Sequence, residues 1–320
     1  MIDSVNKTKL YSSLFALYSF VLSYVLFGYY TEGDQLLYIK FYESISAYNF
    51  VGGFLLYNQI IGSQEPGYYT IIFLLNGLIN KTLLFSLFNA WMGYCLGYAL
   101  IKKNFLPILL FIAVPLNFYL LALYFSLERL KLSLLFFMLS YMVTNKPLRV
   151  SLLLLSISNH VQTILLFVGT QFANLFPLVK QLFRGRFNFK ILGLLGALLV
   201  LCAALFVVRV HIMSKFNAYA SLGGFRNFIK PTFFMLITLV YARDKKMEAV
   251  SMHFPIIIAA FFLGDMRLVI FSYFIFFYYA ASVNRGLNIG IIISSLYFLL
   301  KGVLFIVSIL ETGSGYPAAV

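Results

Sequence analysis

The chain has 320 residues, 62% of them hydrophobic and 11% charged, and a mean hydropathy of +0.92. A soluble domain carries about 25% charged residues, so the composition excludes one and points to a polytopic membrane protein. The formal charge of +14 is dispersed over short loops with no run of five basic residues, which argues against a nucleic-acid partner and for charge that orients loops across a bilayer.

Lys7 and Lys9 precede 21 uncharged residues, Leu10 to Tyr30. That run is too long for a signal-peptide core and no small-residue cleavage site follows it, so an uncleaved first span is expected. Loop 31–64 comes next, rich in Tyr and Phe. Within its segment GDQLLYIKFYE, residues Asp34, Tyr38 and Tyr42 recur every four positions and predict an amphipathic helix with a polar and aromatic stripe. Further spans are expected at 82–101, 105–125, 129–145, 148–160, 161–178, 190–209, 231–242, 250–264, 266–283 and 287–310. The fold class is therefore all-α, with about eleven transmembrane helices and outer-face amphipathic helices in one integral membrane domain over 1–320.

The segment 65–79, EPGYYTIIFLLNGLI, decides the topology. Its apolar part, from Pro66 to Ile79, is 14 residues, short for a span, and Pro66 suits the first turn of a helix. If it does not cross, fourteen of the 24 Lys and Arg share one side: Lys7, Lys9, Lys102, Lys103, Lys146, Arg149, Lys180, Arg184, Arg186, Lys190, Arg243, Lys245, Lys246 and Arg285. The positive-inside rule favours that solution and makes the N-terminus cytoplasmic. EPGYY then opens a helix along the outer membrane face.

The outer side should be poor in basic residues, so its exceptions are informative. Arg129 and Lys131 follow Glu128 in SLERLKLS. Arg209, His211, Lys215, Arg226 and Lys230 lie in a stretch without an acid, and Arg267 follows Asp265 in FLGDMRLV. Ionisable groups at membrane depth face a cavity or a partner, and arginines there suit a pyrophosphate, which a guanidinium holds in a bidentate fork. The plainer reading is internal pairing, Glu128 with Arg129 or Lys131 and Asp265 with Arg267. His160, beside Ser158, Asn159 and Gln162, has the chemistry of a general base near neutral pH. His211 lies in the basic outer loop, and His253 reads as a helix linker. The tyrosines, Tyr38 and Tyr68 among them, read either as an interfacial belt or as sugar-stacking surfaces. Cys95 and Cys202 sit in apolar runs and read as inert thiols. No metal-ligand spacing, phosphate loop or serine elbow occurs.

In this order the motifs GDQLLYIKFYE, EPGYY, LERLKLSLLFF, SISNHVQTIL and GDMRLVIFSYF resemble the EpsG/Wzy-type polysaccharide polymerase family, with one departure: Leu130-Lys131-Leu132 follows Arg129 where many members have glutamine and alanine. The resemblance implies a GT-C-like glycosyltransferase of the bacterial inner membrane making O-antigen or capsule. Its donor would be a growing glycan on undecaprenyl diphosphate and its acceptor a lipid-linked repeat. Membrane lipid and a chain-length regulator protein would be partners, and no nucleic acid, cofactor or metal is expected. On this reading His160 is the general base, with Asp34 and Glu65 as alternatives or as binders of acceptor hydroxyls. Arg209 and Arg226 grip pyrophosphate, with Arg129 or Arg267 assisting, and Tyr38, Tyr68 and His211 complete the substrate site. An O-antigen ligase or other lipid-linked-sugar transferase is the nearest alternative; a lipid-oligosaccharide flippase or transporter is the alternative from another class.

Overall fold

The computed structural model describes residues 2–172, 224–264 and 267–316, with isolated positions between 184 and 213. It is all α, with no strand among the described residues. The contacts divide it into two compact units, Met1–Thr163 with Ala281–Val320, and Ile164–Ala280. Three stretches, all in the first unit, are long and apolar enough to cross a membrane: Asn6–Phe27, Lys81–Lys102 and Val283–Thr312. The expected span 190–209, apart from isolated positions, lies outside the described residues together with Cys202, His211 and Asp265.

The first unit runs α1 (Ile2–Phe27), α2 (Asp34–Ser44), α3 (Phe50–Ile61), α4 (Pro66–Leu75), α5 (Lys81–Lys102), α6 (Pro107–Ile112), α7 (Phe118–Phe125), α8 (Glu128–Met142) and α9 (Lys146–Asn159), and ends with the helix Ile289–Thr312. Asparagine starts several of these helices. The side-chain oxygens of Asn49, Asn80, Asn117, Asn145 and Asn288 each accept an N–H of the first turn, which satisfies a donor the helix leaves orphaned.

Helices α1 and α5 pack closely through small residues. A Cβ on Gly93 would lie 2.5 Å from Ser19 Oγ, and one on Gly97 would lie 3.3 Å from Ser12 Cα. Between these contacts and the helix ends, Asn89 Nδ2 donates to Ser23 Oγ at 2.8 Å. Small residues spaced four apart bring backbones together where lipid supplies no hydrophobic drive. The pair α8 and α9 is pinned by hydroxyls instead, with Ser133 Oγ on the Ser156 carbonyl at 2.5 Å and Ser156 Oγ on the Ser133 carbonyl at 2.8 Å.

One expected span looks different in the fold, and the segment 65–79 is a short helix. The run 105–125 is broken by a turn into α6 and α7, with Pro107 opening the first and Asn117 capping the second. The last helix passes this turn so closely that a Cβ on Gly302 would lie 1.8 Å from the Leu116 carbonyl oxygen. The run 65–79 holds only α4, ten residues long. At 1.5 Å per residue it reaches about 15 Å, half of a hydrocarbon core of about 30 Å, so α4 alone cannot cross a bilayer.

The second unit contains the helix 164–172, a 3-10 turn at Phe225–Phe228 and the helices Ile229–Tyr241, Lys246–Leu263 and Leu268–Ala280. Leu268–Ala280 is its centre, buried along nearly its whole length. Tyr279 donates from it to Glu248 at 2.9 Å.

Candidate functional site

Glu65 precedes Pro66, the first residue of α4. It holds the N-cap position, yet its side chain caps nothing there. The carboxylate turns inward, is 7% exposed, and takes three donors. His160 Nδ1 lies 2.7 Å from Oε1, Arg129 Nη1 lies 2.5 Å from Oε2, and Ser63 Oγ donates to Oε2 at 2.8 Å. Burial alone would raise the Glu65 pKa. The facing His160, then Arg129 and the Ser63 hydroxyl, outweigh that and hold the carboxyl well below its ordinary 4.5.

The backbone explains how these residues meet. Helix α9 stops at Asn159, and His160 leaves it in an extended conformation before the turn Val161–Thr163. The imidazole projects from that break rather than from a helix face. Helix α4 reaches it because residue 67 is glycine: a Cβ there would sit 2.4 Å from Ser158 Oγ and 2.8 Å from the Asn159 nitrogen. Arg129 comes from the first turn of α8, and its Nε donates to the Tyr38 hydroxyl at 3.3 Å.

A second buried cluster lies beside the first. Glu128, fully buried, accepts from Lys81 Nζ at 2.9 Å, Gln35 Nε2 at 2.8 Å and the Tyr68 hydroxyl at 2.8 Å. Lys81 also donates to Gln35 Oε1. Lys131, fully buried too, donates to the Tyr124 carbonyl at 2.8 Å and lies over the Phe85 ring at 4.8 Å. Tyr38 and Tyr68, with ring centroids 5.9 Å apart, join the two clusters.

The arrangement answers the pairing expected around Glu128. Its partner is Lys81, 47 positions away, while Arg129 goes to Glu65. Neighbouring positions on a helix point in different directions, so adjacent Glu128 and Arg129 serve separate clusters. Of the residues singled out in the sequence, Glu65, Arg129, His160, Tyr38 and Tyr68 come together. Asp34 does not: it is exposed at the start of α2, and Gln35 takes the inward position. Tyr68 is 1% exposed and its hydroxyl holds Glu128, so it offers no open face to a sugar and serves the frame instead. Arg226, in the turn Phe225–Phe228, and Arg209 are exposed, and Arg267 is half-buried just before the helix Leu268–Ala280; all three belong to the second unit. His253 is buried, and its Nδ1 faces the carbonyl of Ala249 in its own helix at 2.9 Å.

Chemically, the Glu65–His160 pair is a carboxylate orienting an imidazole. With Nδ1–H donated to Glu65, Nε2 carries the lone pair and Glu65 stabilises the imidazolium formed when Nε2 takes a proton. Nε2 faces the Gln162 side-chain oxygen at 3.2 Å. No group of three His, Cys, Asp or Glu side chains suited to a metal occurs among the described residues. Ser63, Gln35 and Lys81 were not anticipated, whereas Gln162 stood among the polar neighbours of His160 in the sequence.

No family model matches the chain, and neither a curated protein nor a solved structure matches it.

Proposed function

We propose that the chain is a membrane-embedded glycosyltransferase of the polysaccharide polymerase type, an eleven-span GT-C-like protein of the bacterial cytoplasmic membrane with its N-terminus inside. It moves a growing glycan from undecaprenyl diphosphate to the hydroxyl of a lipid-linked repeat on the outer face. The observation that supports this reading is the buried His160–Glu65 pair at 2.7 Å with Arg129 on the other carboxylate oxygen. Glycosyl transfer to a hydroxyl needs such a base.

In this mechanism His160 Nε2 takes the acceptor proton as the acceptor oxygen bonds to the anomeric carbon. The bond from that carbon to the diphosphate breaks, and the lipid diphosphate leaves with the electron pair. The charge that develops there suits arginine, whose guanidinium holds phosphate oxygens in a bidentate fork. Glu65 orients the base, and Arg129 keeps Glu65 ionised and in place. Asp34, exposed near the start of α2, is available to acceptor hydroxyls.

The test is product analysis. The purified chain is reconstituted with undecaprenyl-diphosphate-linked repeats and a chelator, without nucleotide sugar. A ladder of products differing by one repeat is expected. A single adduct on another acceptor would make the chain a ligase, and movement of the lipid between leaflets without any new bond would make it a transporter.

A further inference from the structure

His160 has two ring nitrogens, and only one is committed to the Glu65 cluster. The Nδ1 contact with Glu65 Oε1 at 2.7 Å is buried. The Nε2 contact with Gln162 Oε1 at 3.2 Å is only partly buried, so this edge of the ring lies nearer the surface, although His160 as a whole is 5% exposed. A hydroxyl that gives its proton to Nε2 must bring its oxygen within about 2.6–3.2 Å of it. Gln162 already occupies that distance, so no acceptor reaches the nitrogen in this conformation.

The two sides of the ring are held differently. On the Nδ1 side, Glu65 is fixed by Arg129 and Ser63 as well as by the ring. On the other side, the contact with Nε2 is the one hydrogen bond of the Gln162 side chain among the described residues, and Gln162 is half-buried. Its backbone lies in the 3-10 turn Val161–Thr163, and that turn is anchored. Thr163 donates to the His160 carbonyl from its backbone N at 3.1 Å and from Oγ1 at 2.9 Å, and Ser133 Oγ bonds Thr163 Oγ1. A glutamine side chain can change rotamer while such a turn stays in place.

We propose that Gln162 is a gate over His160 Nε2, a positioning residue that covers the nitrogen until an acceptor hydroxyl takes its place. The turn and the Glu65 pair stay fixed while the amide swings aside. Opening gives up one hydrogen bond and the arriving hydroxyl makes another, so the exchange costs little, whereas a buried nitrogen left with no partner at all would be expensive. What the gate serves rests on the reading of His160 as the base. The cover itself involves two side chains of this chain and is tested without turnover.

The experiment is carbethoxylation of the full chain in nanodiscs by diethyl pyrocarbonate, an electrophile that takes an unprotonated imidazole nitrogen, with mass spectrometry reading His160 and His253 separately. With Nδ1 held by Glu65, the reagent must enter at Nε2. Gln162→Ala is expected to raise the His160 rate about fivefold, the worth of one hydrogen bond, and to leave His253, buried in the other unit, unchanged. Gln162→Glu keeps the length and adds a charge beside the ring, which already faces Glu65 with Arg129 behind it. It is expected to stabilise the imidazolium and move the pH profile of His160 modification upward, which a mere spacer would not do. An unchanged His160 rate in Gln162→Ala, a rise shared equally by His253, or an unmoved profile in Gln162→Glu would overturn the gate. Faster modification of His160 in Gln162→Ala, with no polymer ladder from the wild type, would leave the gate standing and remove the polymerase reading. Wild-type ladders with an unchanged His160 rate in the variant would do the reverse.

Discussion

Glu65 joins three donors through two oxygens, so its removal strands the buried Arg129 cation. Breaking one partner out of a buried pair costs roughly 3–5 kcal/mol, and Glu65→Gln should lower stability by about that much. A double-mutant cycle with Arg129→Met, read by thermal unfolding in detergent, should show a coupling of about 1–3 kcal/mol; additive losses would mean the 2.5 Å pair contributes little. The same carboxylate sets an acid limb. It stays ionised in the fold at pH values where an unfolded glutamate, near 4.5, is already protonating. Its stabilisation is therefore complete above pH about 4.5 and drains away as pH falls further. The unfolding midpoint of the wild type should drop more steeply from pH 5 to pH 3 than that of Glu65→Gln.

At the scale of elements, the site depends on α4 touching the end of α9. Gly67→Ala places a methyl 2.7 Å from the Ser158 carbonyl carbon and 2.8 Å from the Asn159 nitrogen, and backbone cannot rotate away as a side chain can. The helices must part, at about 1–3 kcal/mol, and the Glu65–His160 contact opens. Misplacement by about 1 Å can cost a hundredfold in rate, so Gly67→Ala should lose about that much polymer synthesis while remaining folded; undiminished synthesis would show that the pair need not be held this tightly. Glu65, Arg129 and His160 were legible one at a time, as polar residues in apolar company. Their convergence was not, because it depends on a glycine contact and a helix break. The α2 stripe shows a limit of another kind. Residues 34, 38 and 42 drift about 40° per step around a helix of 3.6 residues per turn, whereas 35, 38 and 42 stay on a tighter face. The burial of Gln35, Tyr38 and Tyr42 follows the tighter face.

For the whole molecule, composition made the helical class and the presence of membrane-length helices legible, because hydropathy and length are summed over many residues. The break of 105–125 into α6 and α7 was hidden, because only Pro107, Pro115 and Asn117 interrupt that apolar run and none is charged. The eleven-span topology predicts that both ends of α4 face outward. Single cysteines in a chain lacking Cys95 and Cys202 report this. Gln64→Cys and Leu78→Cys are the positions to use, since both residues are exposed whereas Ser63 is buried against Glu65. An impermeant thiol reagent should label both from outside; labelling of only one would put the segment across the membrane.

The most direct measurement is the length of glycan made from lipid-linked repeats by wild type and His160→Ala, with thermal unfolding confirming that the variant is folded. A lost general base predicts a fall of about 10²–10⁴-fold in repeats added. Ladders of wild-type length and amount from folded His160→Ala would contradict the assignment of His160 and Glu65 as the reaction centre.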